Sequence, residues 1–108
     1  MYYIYILRCN DNSLYTGITN NIEKRMYNHF NGKGAKYTRV HRPVKLEIVW
    51  KCRDKSLASK LEYYIKTLSK GSKEDIIINK SVGNYLKGKV DLRKYRVVNI
   101  KNNYTWNV

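Results

Sequence analysis

Hydrophobic and polar positions follow two different periods along the chain, and each period predicts one type of element. Residues 2–8 are aromatic and β-branched, which favours a strand, and residues 13–18 repeat this character after an Asn-Asp-Asn turn cluster. The first 18 residues therefore predict a β-hairpin. Residues 44–52 alternate between apolar and polar side chains and predict a third strand.

Helical spacing separates and follows these strands. Apolar residues recur every four positions at Ile22, Met26 and Phe30. We expect this first helix to begin after an Asn20 N-cap and to end at Gly32, because these residue types favour the two ends of a helix. Residues 31–43, which contain glycine and lysine, then predict a loop.

A second helix is predicted between a Ser56 N-cap and a stop at Gly71. Its apolar stripe consists of Leu57, Leu61, Tyr64, Ile65 and Leu68. Ser72 opens a short third helix that continues to about Ile78, with two acidic residues in its first turn.

The order ββαβαα predicts a small α/β (α+β) domain, in which helices flank a three-stranded mixed or antiparallel sheet. The length of 108 residues fits one domain. We assign residues 1–80 to that domain and residues 81–108 to a C-terminal extension. Residues 90–100 alternate weakly, which is consistent with either an added strand or an ordered tail.

The chain is strongly basic, with 22 Lys and Arg against 8 Asp and Glu and a formal net charge of +14. Both halves are basic, so no detachable tail accounts for the excess. Such a charge favours a polyanionic partner, and nucleic acid fits best. An anionic membrane is disfavoured because no amphipathic helix has a wide apolar face. A merely solvated, lysine-rich surface is the remaining alternative.

Cellular location is predicted from the N-terminus and the cysteines. The longest apolar run, residues 1–7, is far shorter than the ~20 residues of a spanning helix and lacks the features of a signal peptide. Cys9 and Cys52 have no Cys or His at ligand spacing and lie in apolar contexts, so they are predicted to be core residues of a cytoplasmic protein and not zinc ligands.

Five residues of the predicted strands and helices have side chains that are suited to catalysis or metal binding. Tyr5 and Tyr15 lie on the two arms of the predicted hairpin, and Arg25 and His29 share one face of the first helix. Glu62 lies at the rim of the apolar face of the second helix. Each residue alone is more often structural: a strand aromatic, a solvated helix edge or half of an ordinary i, i+4 ion pair.

Taken together and in order, these elements resemble a known family. Tyr-Ile-Tyr at 3–5, Tyr-Thr-Gly at 15–17, then Arg25, His29 and a helical Glu62 are similar to the motifs of the GIY-YIG nuclease domain. The resemblance is strongest to small stand-alone bacterial members and covers about residues 2–79. It is carried further by the runs at residues 5–9, 13–20 and 32–38.

The resemblance implies a metal-dependent endonuclease that hydrolyses phosphodiester bonds in DNA, in repair, recombination or processing. It implies that Tyr5 is the base, that Tyr15 orients the phosphate or the nucleophile, and that Arg25 stabilises charge on phosphorus. His29 belongs to the same catalytic set. Glu62 would hold a single Mg²⁺ or Mn²⁺, with no organic cofactor.

Two positions depart from the family pattern, and one is open. Tyr3 stands where the family usually has glycine and Thr16 stands for isoleucine, both at positions that shape backbone or core. Asn79 is the one candidate for an asparagine that many members carry downstream of the glutamate.

Charge and chemistry agree with these roles. One carboxylate, phosphate oxygens and waters suit Mg²⁺, and the planar fork of Arg25 suits phosphate. Basic residues of the predicted loop are expected to bind phosphates without reading bases; they are Lys33, Lys36, Arg39 and Arg42. A solvated loop is the alternative there.

Two functions remain open at this point. The first is the endonuclease, with DNA as partner and RNA not excluded. The second is a nucleic-acid-binding module with little or no turnover. The enzyme is favoured because a pure binder has no need of Glu62, whose negative charge repels phosphate.

Overall fold

The computed structural model describes residues 1–100, which form one antiparallel sheet with helices on both of its faces. The elements in chain order are β1 (Tyr2–Cys9), β2 (Leu14–Thr19), α1 (Ile22–Phe30), α2 (Lys36–Val40), β3 (Pro43–Cys52), α3 (Lys55–Lys66), α4 (Lys70–Asn79), α5 (Gly83–Leu86), a 3₁₀ turn (Leu92–Lys94) and β4 (Arg96–Val97).

The α+β class is confirmed, but the predicted number of strands is wrong. Within residues 1–100 the sheet has four strands in the order β2-β1-β3-β4, and every pairing is antiparallel. β4 is only two residues long and pairs Val97 with Trp50 and Arg96 with Lys51. It lies within residues 90–100, where the weak alternation left an added strand and an ordered tail open, and two residues are too few for a clear period.

Alternation along β1 divides the interior into two clusters, one on each face of the sheet. Ile4 and Ile6 pack with residues of α3, namely Ala58, Leu61 and Ile65. Tyr5 and Leu7 point to the other face and pack with Met26 of α1. Because successive side chains of a strand point to opposite faces, α1 and α3 cover opposite sides of β1.

Helix starts differ from the predicted ones by one or two residues. The N-cap of α1 is Asn21 and not Asn20: the Asn21 side chain accepts a hydrogen bond from the Lys24 amide. The N-cap of α3 is Asp54 and not Ser56, because the Asp54 carboxylate accepts from the Leu57 amide. Both are favoured capping residues close to another one, so sequence alone does not separate them.

The break between the predicted second and third helices comes earlier than expected, between Lys66 and Lys70 and not at Gly71. α3 ends at Lys66, and Ser69 caps α4 by accepting a hydrogen bond from the Ser72 amide. Gly71 lies inside α4. The apolar stripe continues across this break through Leu68, which hides the break from a periodicity argument.

The predicted loop at residues 31–43 also contains a helix. α2 has only five residues and no side-chain N-cap, so the sequence contains neither a capping signal nor a helical period that would predict it. Cys9 and Cys52 are buried free thiols. No helix within residues 1–100 is both long and apolar enough to cross a membrane.

The C-terminal extension contributes to the core on the α3 face. Its buried residues there are Val82, Leu86, Val90 and Tyr95. The Tyr95 hydroxyl donates a hydrogen bond to the Leu57 carbonyl over 2.6 Å. The described part of the extension, residues 81–100, thus packs against the same core as α3, and the division at residue 80 remains a prediction.

Candidate active site

The phenol of Tyr5 is the centre of a polar cluster inside the α1 face. Tyr5 is fully buried, and its hydroxyl lies 2.7 Å from Nε2 of His29. Nε of Arg25 donates to the same hydroxyl over 3.2 Å. Arg25 and His29 lie one turn apart on α1, so a single helix brings both groups to the strand residue.

A glycine makes room for this phenol. Gly17 of β2 is directly paired with Tyr5 of β1, and a Cβ at Gly17 would lie 2.5 Å from the Tyr5 hydroxyl oxygen. The tyrosine ring therefore crosses the neighbouring strand at a place where any other side chain would block it. Tyr15 stands two residues earlier, with its ring centroid 6.3 Å from that of Tyr5 and 5.6 Å from that of His29.

Two residues that the sequence analysis did not assign to the site complete it. Nδ1 of His29 lies 2.9 Å from the Thr38 hydroxyl, which also bonds to the Ala35 carbonyl over 3.0 Å. A Cβ at Gly34 would lie 2.3 Å from that Nδ1, so only glycine lets the chain pass here. Both residues lie in the run at 32–38, which carries part of the family resemblance and is the signal in the sequence that points to them.

Next to this cluster the rings of three residues form a column. Tyr37 stacks on Tyr15 with centroids 5.8 Å apart and on His41 with centroids 4.1 Å apart. His41 in turn contacts Asp11 in the β1–β2 turn, with 2.7 Å between Nδ1 and Oδ2. The column joins the hairpin to α2 and so fixes α2 beside the buried cluster.

Burial determines the protonation of the central pair. It raises the pKa of Tyr5 to about 12, against the opposing effect of the hydrogen bond from Arg25. Burial and the positive charge of Arg25 lower the pKa of His29 to about 4. At neutral pH the resting site therefore holds a neutral phenol and a neutral imidazole.

Glu62 lies on α3, which packs on the opposite face of the sheet from α1, yet its negative charge acts on the buried Tyr5. The negative charge of Glu62 is one of the influences that raise the pKa of Tyr5. α3 contacts the edge strand β2 as well as β1, which brings the two faces close at this edge. The Glu62 carboxylate is 23% exposed, and Lys66 is its ion-pair partner at 3.3 Å.

The donor set fits a single hard cation. Within residues 1–100 no three or more His, Cys, Asp or Glu side chains converge on a common point. Glu62 offers one partly exposed carboxylate, and Mg²⁺ accepts a single protein carboxylate when other oxygen ligands complete its shell. Glu62 is therefore the residue that would hold such an ion.

Exposed cationic side chains lie on α2 and on the residues that flank it. Lys33, Lys36 and Arg39 are all exposed, on the same segment that supplies Thr38 to the buried cluster. Arg42 is exposed too, and its carbonyl accepts a hydrogen bond from the Asn10 amide. Asn79 lies apart from this segment, exposed at the end of α4.

An antiparallel sheet with two tyrosines on its hairpin and an arginine on the first helix defines a class of protein. Residues 1–75 match the model of the GIY-YIG catalytic domain, and the chain belongs to the GIY-YIG family. The resemblance predicted from the motifs is thereby confirmed.

Its relatives are small bacterial proteins. The chain is 52% identical over 82 residues to a UPF0213 protein of Clostridium perfringens, a match that covers 76% of this chain and 88% of that protein. It is 41% identical over 99 residues to a UPF0213 protein of Fusobacterium nucleatum, covering 92% and 97% respectively. The solution structure of a UPF0213 protein from Bacillus halodurans is 43% identical, covers 74% of this chain and 86% of that one, and superposes with a TM-score of 0.50.

Proposed function

We propose that the protein is a metal-dependent endonuclease that hydrolyses phosphodiester bonds in DNA. The observation that carries the proposal is the contact of Tyr5 with both Arg25 and His29. The negative charge of Glu62 also acts on Tyr5, where it raises the pKa of the phenol. Membership in the GIY-YIG family supports the nuclease class. The net charge of +14 supports a nucleic-acid substrate.

Tyr5 would receive the proton of the attacking water. Its hydroxyl contacts Nε2 of His29 and accepts a hydrogen bond from Arg25, and the phenol oxygen has a further lone pair for a water. A water held at that position is activated as its proton moves to the phenol oxygen. Tyr15, whose ring borders those of Tyr5 and His29, would orient the phosphate or the water.

Arg25 and Glu62 would supply the electrostatic part of catalysis. Nε of Arg25 is used by Tyr5, and the guanidinium keeps further N–H donors for phosphate oxygens whose charge increases during attack. Glu62 would hold one Mg²⁺ or Mn²⁺, whose chemistry there is Lewis-acid polarisation of the phosphate. Lys33, Lys36, Arg39 and Arg42 would hold the flanking phosphates.

Cleavage of supercoiled and branched DNA in Mg²⁺ tests this proposal. We expect wild-type protein to nick DNA, and Tyr5→Phe, Arg25→Ala and Glu62→Gln each to lower the rate on the order of 10²-fold or more. Tyr27→Phe is the matched control, because Tyr27 lies on α1 but is 61% exposed; it should retain full activity.

Equal, slow nicking by wild type and all variants would refute the enzyme. Gel shifts in EDTA then decide what remains. Tight DNA binding without cleavage would leave the binding module as the function, and the absence of both would leave neither.

A further inference from the structure

We propose that Thr38 fixes the tautomer of His29, and that His29 is consequently the final acceptor of the proton that Tyr5 releases. Thr38 is thus a positioning residue that acts through His29. The inference rests on the proposed function for its catalytic part, while the tautomer itself is a property of the resting protein.

The direction of one hydrogen bond follows from counting protons. The Thr38 hydroxyl has a single proton and lies 3.0 Å from the Ala35 carbonyl, which can only accept. The hydroxyl therefore donates to Ala35. At its other contact, 2.9 Å from Nδ1 of His29, the same oxygen must accept, so Nδ1 carries the hydrogen.

The direction of the next hydrogen bond follows from the first. A neutral imidazole has one N–H, and with that proton on Nδ1 the other nitrogen, Nε2, has a free lone pair. The Tyr5 hydroxyl, 2.7 Å away, must then donate to Nε2. His29 is only 1% exposed, so bulk solvent does not offer its ring nitrogens another partner.

The opposite tautomer is disfavoured by the same count. With its proton on Nε2, His29 would turn the lone pair of Nδ1 toward the lone pair of the Thr38 oxygen. Relieving that repulsion requires the Thr38 proton to turn to Nδ1, which costs the hydrogen bond to the Ala35 carbonyl and leaves that oxygen with the Arg39 amide as its donor. Gly34 permits the close approach of Thr38 and His29, since a Cβ there would lie 2.8 Å from the Thr38 oxygen.

This geometry gives the proton a defined path. As the water oxygen forms its bond to phosphorus, its proton moves to the Tyr5 oxygen while the phenol proton moves to Nε2 of His29. The bond from phosphorus to the leaving oxygen breaks, and that oxygen takes its electron pair and a proton from solvent. The imidazolium that forms keeps its hydrogen bond from Nδ1 to Thr38 and later returns its proton through Tyr5.

The charged groups around this path favour transfer only when substrate is bound. Arg25 faces the pair from α1 and opposes a positive charge on His29, and Tyr15 faces it from β2 as a neutral ring. A bound phosphodiester brings negative charge to Arg25 and so lessens its effect on His29. The phenol of the resting site therefore remains protonated until the substrate arrives.

Nitrogen NMR of the histidine rings in the full chain tests the tautomer directly. The sequence has two histidines, so His41→Gln identifies the His29 signals. We expect wild type to carry its proton on Nδ1 and Thr38→Ser, which keeps the hydroxyl, to do the same. Thr38→Val has nearly the same shape without the hydroxyl and should shift the population toward the Nε2–H form.

Kinetics of the same variants test the catalytic part. Thr38→Val should lower kcat about 10-fold or more at unchanged DNA affinity in EDTA, and Thr38→Ser should restore most of it. A wild-type Nε2–H tautomer, or a Thr38→Val protein with unaltered tautomer and rate, would overturn the inference. If wild type does not cleave DNA, the proposed function fails, and the NMR result alone decides the role of Thr38 in fixing the ring.

Discussion

At the scale of single residues, the site depends as much on absent side chains as on present ones. Gly17 lies against the Tyr5 hydroxyl and Gly34 lies against the ring of His29, each closer than a Cβ permits. Neither position requires a left-handed backbone, so the reason for glycine is close approach and not conformational freedom. These two glycines set how near β2 and the segment before α2 come to the buried pair.

Replacing Gly17 with alanine should therefore damage the site more than the fold. The new methyl group would push the Tyr5 hydroxyl away from Arg25 and His29, and we expect a loss in cleavage rate on the order of 10²-fold. Overpacking should lower the free energy of unfolding by about 1–3 kcal/mol. Nicking assays and urea denaturation measure the two effects.

Gly71→Ala is the matched control for this substitution. Gly71 lies inside α4, where the nearest atom to an added Cβ is 3.9 Å away. Alanine should raise the stability by about 0.5–1 kcal/mol, because glycine costs this much inside a helix. A Gly17→Ala protein as active as Gly71→Ala would contradict the close approach at Tyr5.

Sequence identifies the members of the site whose chemistry and spacing are both visible. Tyr5 and Tyr15 are found because a hairpin places them on neighbouring strands, and Arg25 and His29 because a helix places them on one face. Thr38 has no such signal. Its role depends on a bond to a carbonyl three residues earlier and a contact with a residue on another helix, and only folding creates those two contacts.

At the scale of elements, an arginine joins three of them. Arg8 on β1 bonds to Glu47 on β3 over 2.9 Å and makes a paired contact of 2.6 Å with each carboxylate oxygen of Glu74 on α4. The side chain of Arg8 is only 18% exposed, and that of Glu47 only 9%. This network attaches α4 to the sheet, although α4 itself has only one buried residue, Ile76.

The network should make stability depend on acid. The hydrogen bonds from Arg8 lower the pKa of Glu74 to about 2, whereas the unfolded chain titrates near ~4.3. A lowered folded-state pKa means that the unfolded state binds more protons as the pH falls, so the stabilisation is complete above about 4.5 and is lost between about 4.5 and 2. Urea denaturation across pH 2–7 measures this loss.

Glu74→Gln should remove part of that pH dependence and lower the stability at pH 7 by about 1–3 kcal/mol. Glu23→Gln is the control, because Glu23 is exposed in the first turn of α1. We expect it to leave the acid profile close to that of wild type. A Glu74→Gln profile parallel to that of wild type would show that Arg8 does not act through this carboxylate.

Elements differ in how visible they are in the sequence. The hairpin, α1 and β3 have a period and clear ends, so they are predicted almost to the residue. The break between α3 and α4 is predicted a few residues too late, because Leu68 continues the apolar stripe while a single serine, Ser69, restarts the helix. For β4 the sequence leaves a strand and an ordered tail open, because its pairing with β3 depends on a partner far away in the chain.

At the scale of the whole molecule, the cationic side chains differ in whether carboxylates lie close to them. Acidic partners occupy Arg8, Lys45 and Lys70 in ion pairs around the Glu47 and Glu74 carboxylates. The segment from Gly32 through Val40 contains no acidic residue. The surface beside the buried cluster therefore presents cations on a segment that contains no carboxylate of its own.

DNA binding should consequently weaken with salt mainly through this surface. We expect Lys33→Ala, Lys36→Ala and Arg39→Ala combined to reduce the slope of log affinity against log salt by about 2–3, because each phosphate contact contributes about 0.9 on duplex DNA. Fluorescence anisotropy in EDTA between about 50 and 300 mM salt measures the slope without cleavage.

The control is a second triple variant with the same net charge. Lys87, Lys89 and Lys94 are exposed in the C-terminal extension, which packs on the α3 face of the sheet. Replacing them with alanine should change the slope by less than about 1, if phosphates are bound at the α2 segment and not by charge in general. Equal slopes for the two triple variants would mean that the +14 charge attracts DNA diffusely, and the α2 segment would lose its role.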